Sequence, residues 1–154
     1  MEDGNGVLLT FRPIVESDIE TVERWLDDPE SRRRLGGMVP FRPCFEYQQA
    51  QADYPMWIAY EGTTPVGLGG FEIGTDRTAV LLLLVAPECR RKGYGKRILQ
   101  QLCARPEAQR AARFLASVEP DHQAVLRCLE AIDFTNTGTD PDDPEFLRFV
   151  RKTG

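Results

Sequence analysis

The run Ala79-Val80-Leu81-Leu82-Leu83-Leu84-Val85-Ala86 limits what this chain can become more than any other feature. It is far shorter than the roughly 20 apolar residues that a membrane helix needs. It also has no polar side to give to water. A strand apolar on both faces belongs in the middle of a sheet that is covered on both sides. The strand is expected over Arg77 to Ala86, and a helix follows from about Gly93 to Ala104. Ile98, Leu99, Leu102 and Cys103 give that helix an apolar stripe, and Arg105-Pro106 closes it. Phe114 to Val118 reads as the next strand. Strand, helix and strand at this spacing form a βαβ unit, whose two strands run parallel.

The remaining elements follow from periodicity. Val7 to Ile14 reads as a first strand, and Ser17-Asp18-Ile19-Glu20 as a capping box opening a helix. Ile19, Val22 and Leu26 share one face of it, with Trp25 beside them. Pro29 marks its end. Residues 30 to 54 are less regular. Arg32-Arg33-Arg34 and Glu46 to Ala52 have helical character, interrupted by Gly36-Gly37, Pro40 and Pro43. Such a stretch is either a lid or part of an acceptor site, or an irregular surface connection. Met56 to Tyr60 and Pro65 to Ile73 read as a hairpin turning at Gly62-Thr63-Thr64. Asp121 is placed to cap a helix carrying Val125, Cys128, Leu129 and Ile132 on one face. Phe134 to Thr137 and Phe146 to Val150 close the fold, separated by a loop over Gly138 to Glu145. No repeat or linker divides the 154 residues, so one domain over 1–154 is expected. Its class is α/β (α+β).

Charge narrows the function. A net charge of −5 argues against a nucleic-acid binder driven by phosphate contacts. Yet Arg90, Arg91, Lys92, Lys96 and Arg97 crowd together, which suits a small polyanionic ligand. Four cysteines (Cys44, Cys89, Cys103, Cys128) form no C-x-x-C pair, and His122 is the single histidine. Neither a metal site nor a disulfide framework is expected. The opening Met1-Glu2-Asp3-Gly4-Asn5-Gly6 lacks the pattern of a signal peptide, so a cytoplasmic protein without membrane contact is expected.

The sharpest local signal is Val85-Ala86-Pro87-Glu88-Cys89-Arg90-Arg91-Lys92-Gly93-Tyr94-Gly95. A buried strand ends, glycines free the backbone and a helix begins. A helix start offers unpaired N–H groups and a positive dipole end, which makes it an anion site. No Walker A loop is present, and Ile98 stands where a dinucleotide fingerprint needs its third glycine. The plainer alternative is a glycine turn before a solvated basic helix start.

Arg90-x-x-Gly93-x-Gly95 resembles the [QR]-x-x-G-x-[GA] signature of the GNAT acyltransferases. The similarity extends along nearly the whole chain, through the order of elements and through the opening Phe11-Arg12-Pro13 to Trp25-Leu26-Asp27-Asp28-Pro29. Within that superfamily the opening is similar to the ribosomal-protein N-terminal and the aminoglycoside N-acetyltransferases. The resemblance implies a central mixed, mostly antiparallel sheet of six to seven strands with one parallel βαβ unit, flanked by about four helices. It implies acetyl-CoA as cosubstrate, lying between the Ala79–Ala86 and Phe114–Val118 strands. Backbone near Leu83 and Val85 would pair with the pantetheine arm, and Arg90, Arg91, Lys92, Gly93, Tyr94, Gly95 and Lys96 would hold the pyrophosphate. Tyr94 would pack on or cover the coenzyme. An acceptor amine, on a small molecule or a protein N-terminus, would attack the thioester directly.

The departures bear on proton transfer. A tyrosine that many members use to protonate the leaving thiolate is replaced by Leu129, an asparagine before it by His122, and a central-strand glutamate by Ala79. Glu119, at the carboxyl end of the Phe114–Val118 strand, is the first candidate base, since ligands of α/β sheets sit at that end. Glu72 is the second. His122 can titrate near neutrality. Cys89 beside Arg90 would have a lowered pKa, but no Cys/His pairing follows from the spacing. A non-catalytic acyl-CoA-binding sensor or interaction module is the alternative function. A homodimer through the late strands is compatible with the sequence but not required by it.

Overall fold

The structure is a computed structural model that describes residues 8–153. Its strands are β1 (Thr10–Pro13), β2 (Met56–Glu61), β3 (Thr64–Ile73), β4 (Thr78–Val85), β5 (Arg113–Val118), β6 (Thr135–Asp140) and β7 (Asp143–Lys152). They form one sheet in the order β1-β2-β3-β4-β5-β7-β6. Every neighbouring pair is antiparallel except β4 and β5. The α-helices are α1 (Ile19–Leu26), α2 (Pro29–Leu35), α3 (Phe41–Ala50), α4 (Tyr94–Cys103) and α5 (Gln123–Ala131). The strand expected from Val7 begins at Thr10, and Val7 itself lies outside the described residues.

The irregular stretch supplies the additional helix. Pro29 does not merely end α1; it occupies the first turn of α2, where its missing N–H costs nothing. Asp28 caps α2 by accepting the N–H groups of Glu30 at 3.0 Å and Ser31 at 3.1 Å. Pro43 is tolerated for the same reason, in the first turn of α3. The box expected at Ser17 forms differently. Asp18 accepts the Val15 N–H at 2.8 Å, and Arg12 grips its carboxylate at 2.6 and 3.1 Å.

Glycines on β3 decide where α4 lies. A Cβ on Gly67 would stand 2.6 Å from the Leu84 carbonyl oxygen and 2.8 Å from Ile98 Cδ1. Only a bare backbone lets the helix settle so close. Ile98, Leu99 and Leu102 then enter the core. β4 lies fourth of seven strands, but it is not covered on both faces throughout. Val80, which alternates to the side away from α4, is 47% exposed. The expected Gly138–Glu145 loop is mostly strand. β6 runs to Asp140 and β7 starts at Asp143, and the buried Asp140 accepts bonds from Ser117 Oγ (2.9 Å), Arg148 Nη2 (3.0 Å) and the Asp142 N–H (2.9 Å).

Candidate active site

β4 and β5 pair only at Thr78↔Arg113, Ala79↔Phe114 and Val80↔Leu115. Beyond those rungs β4 continues to Val85 and β5 to Val118, and the strands part. A cleft of about 820 Å³ lies beside the end of β4, walled by Leu83 to Val85, by α2, by the loop into α4 and by the starts of α4 and α5, while no residue of β5 lines it. Leu83, Val85, Arg90, Arg91, Gly93, Tyr94, Gly95 and Lys96 all line it. Lys92 is exposed and lies outside its wall.

The loop into α4 has the conformation of an anion cradle. Arg91 and Gly93 are left-handed, with φ of 64° and 84°. Such turns curl successive N–H groups toward one point. Gly93 is the cap residue of α4, and no side chain among the described residues caps the helix. The N–H groups of the first turn are therefore open to a guest in the cleft. A Cβ on Gly95 would meet Leu83 Cδ2 and Val85 Cγ2 at 3.6 Å and Cys128 Sγ at 3.8 Å, which is ordinary contact. The fold itself does not demand glycine there.

Two side chains of this segment are turned to other partners. Arg90 Nη2 lies 2.7 Å from both Asp28 Oδ2 and Ser31 Oγ. The Tyr94 hydroxyl donates to Glu61, which also accepts from Arg97 Nη2 at 3.2 Å, and the Arg97 guanidinium lies 5.0 Å over the Tyr94 ring. Tyr94 thus lines the cleft while its hydroxyl is committed to Glu61, and the acceptance by that carboxylate raises its pKa.

The proton-transfer candidates occupy three different settings. Glu119 Oε1 accepts from Arg34 Nη1 at 2.7 Å, and Glu119 is not among the cleft-lining residues. Glu72, on β3, lies outside the cleft wall and accepts from the Tyr47 hydroxyl at 2.7 Å. His122, half-buried at the start of α5, does line the cleft. Desolvation, then the nearby Arg34 cation, lowers its pKa, so it stays neutral near neutral pH. Asp121 does not cap α5 with its side chain. It pairs instead with Arg33 and, at 2.7 Å, with Arg34. Leu129 and Ala79 are fully buried. Burial raises the pKa of Cys89 and Cys128, and the Glu88 charge adds to it at Cys89; the lowering expected from Arg90 does not arise, since that side chain is turned to Asp28 and Ser31, and both thiols remain protonated.

Arg34 is a site residue that no sequence pattern marks. Its side chain is only 10% exposed, and it binds Glu30 as well as Glu119 and Asp121. The only signal was the basic run Arg32-Arg33-Arg34, which is indistinguishable from a solvated helix face until its partners are known. Among the described residues, no helix is long and apolar enough to cross a membrane, and no group of His, Cys, Asp and Glu side chains is placed to hold a metal ion.

A parallel pair that parts above a glycine-capped helix is a distinctive geometry, and the family comparison agrees with it. The sequence model of the Acetyltransferase (GNAT) family matches residues 19–134. The chain belongs to that family. It is 32% identical over 140 residues to the uncharacterized N-acetyltransferase YfmK of Bacillus subtilis (strain 168), a match covering 91% of this chain and 94% of that protein. Among solved structures, the aminoglycoside acetyltransferase AAC(6')-Ib with ribostamycin and coenzyme A superposes with a TM-score of 0.77 at 21% identity, over 95% of this chain and 94% of the other. The spermidine N-acetyltransferase of Vibrio cholerae with CoA and spermine gives a TM-score of 0.79 at 12% identity, over 94% and 95%. At those identities the two superpositions speak for the fold.

Proposed function

We propose that this GNAT acetyltransferase moves an acetyl group from acetyl-CoA to a primary amine by direct attack, within the cleft walled by the end of β4, by α2 and by the starts of α4 and α5. The observation that carries the reading is the cradle at the start of α4: left-handed Arg91 and Gly93, an uncapped helix start, and a glycine at position 95 that the fold does not need. A pyrophosphate fits this donor set, because the dipole end of α4 and convergent N–H groups favour a dianion. Leu83 and Val85 offer the open edge of β4 to an extended pantetheine arm, as one more strand would use it. Holding amine and thioester in one cleft supplies much of the rate without a covalent enzyme intermediate.

We assign the proton transfers to His122. It alone of the three candidates lines the cleft, and it is neutral and able to accept a proton. As the N–C bond forms, His122 takes the amine proton. As the C–S bond breaks, it returns that proton to the leaving thiolate, the role for which Leu129 has no chemistry. The acceptor is a small-molecule amine or a protein N-terminal amine, and both present the same nucleophile. Turnover of acetyl-CoA with a panel of primary amines, by wild type and by His122→Gln, tests the assignment. A fall in rate of about 100-fold supports it, in line with the usual worth of general acid–base catalysis. An unchanged rate removes His122 from the mechanism.

A further inference from the structure

The arginine of the signature is not facing the cleft as a free cation. Its Nη2 is shared by Asp28 Oδ2 and Ser31 Oγ, each at 2.7 Å. Asp28 Oδ2 is the same oxygen that caps α2 through the Glu30 and Ser31 N–H groups. Hydrogen bonding from Arg90 is the largest cause of the lowered Asp28 pKa. Ser31 is buried, and Asp28 is only 25% exposed. One oxygen atom therefore fastens the start of α2 to the coenzyme loop.

The last turn of α2 is fastened elsewhere. Arg34 bonds Glu119 just past β5 and Asp121 just before α5. α2 is about 10 Å long at 1.5 Å per residue. It bridges the two shores of the cleft, with the loop of residues 87–93 at one end and the β5–α5 junction, carrying His122, at the other.

We propose that the Arg90 side chain is a positioning residue for α2 rather than a phosphate ligand, so that a coenzyme ordering the loop also orders α2 and the junction it holds. The inference rests on reading the cleft as the acetyl-CoA site. Backbone N–H groups at the start of α4, with Lys96, are left to hold the pyrophosphate. The guanidinium carries five donors in a fixed fork, and its exchange for lysine keeps the charge while losing that geometry.

The test combines acetyl-CoA calorimetry with amide hydrogen exchange on wild type, Arg90→Ala, Arg90→Lys and Ser31→Ala. Acetyl-CoA slows exchange at residues 31–35 and at residues 94–96 of the wild type. In Arg90→Ala the dissociation constant stays within about threefold, a change of less than about 1 kcal/mol. Coenzyme protection at residues 94–96 persists, while that at residues 31–35 falls by about tenfold. Arg90→Lys, which keeps one contact to Asp28, recovers part of it. Binding weakened about tenfold or more, with residues 31–35 still protected, makes Arg90 a phosphate ligand and overturns the proposal. Should Arg90→Ala fail to fold, Ser31→Ala decides: reduced protection at residues 32–35 with unchanged affinity upholds the coupling, and unchanged protection refutes it. No binding by the wild type removes the coenzyme reading itself, and with it this proposal, whereas intact binding with lost coupling leaves both standing.

Discussion

Arg34 and Glu119, 85 residues apart in the chain, meet at 2.7 Å beside the cleft. The contact joins α2 to the carboxyl end of β5 and removes the first-choice base from free solution. It also puts a half-buried cation near His122, which is the second cause of that imidazole's lowered pKa after desolvation.

Replacing Arg34 by glutamine leaves Glu30, Glu119 and Asp121 without their shared donor. Each carboxylate is partly exposed and regains water, so the loss is well short of a buried-pair rupture: about 2 kcal/mol by chemical denaturation. The same change removes a cation that depresses His122, so the acidic limb of the rate profile moves to higher pH. A limb that stays in place separates His122 from the reaction.

Stability should also follow His122. Its folded-state pKa lies below the ordinary histidine value, so the unfolded chain binds the proton more readily. The stability it contributes is complete above the ordinary value of about 6.5 and is lost as pH falls through that value toward the lower, folded one. Denaturation midpoints measured from pH 8 to 5 should fall for wild type and fall less for His122→Gln. Asp121 and Glu30, whose pKa values are lowered by Arg34, lose their contribution only at still lower pH.

Three glycines separate packing from conformation. Gly67→Ala drives a methyl group into the Leu84 carbonyl and Ile98, and costs about 1–3 kcal/mol by overpacking. Gly93→Ala costs about 1–2 kcal/mol because alanine must take a left-handed φ. Gly95→Ala sits in ordinary contact inside α4 and is neutral or stabilising by up to about 1 kcal/mol. Thermal melts of the three variants check the order. Equal losses at all three positions would contradict the packing described here.

The extent to which the sequence was readable follows the range of the interactions. β4, the glycine-capped start of α4 and the parallel crossover rest on runs within one element, and those patterns are local. The Arg34 cluster rests on partners 85 and 87 positions away, and no periodicity marks it. Asp121 reads as a cap because nothing nearby announces Arg33 and Arg34. Proline misleads twice over residues 29–43, because at a helix start it is tolerated while in mid-helix it breaks. The aspartates after Gly138 read as loop, but Asp140 is satisfied by Ser117 and Arg148 from neighbouring strands, which only the register brings together. The coenzyme half of the site depends on backbone shape at one junction, and the proton-transfer half on which distant side chains converge.

Binding of the coenzyme's pyrophosphate at the start of α4 is tested by titrating acetyl-CoA into wild type and Gly95→Glu in a calorimeter. An acidic residue in the first turn of a helix is favourable, and the ordinary contacts around position 95 leave room for its Cβ. The variant should therefore melt at or near the wild-type temperature. Wild type should bind with micromolar affinity, and Gly95→Glu should lose about 100-fold or more, as a carboxylate meets the phosphates in a confined site. Equal affinity in the two proteins would contradict binding there and move the coenzyme away from α4.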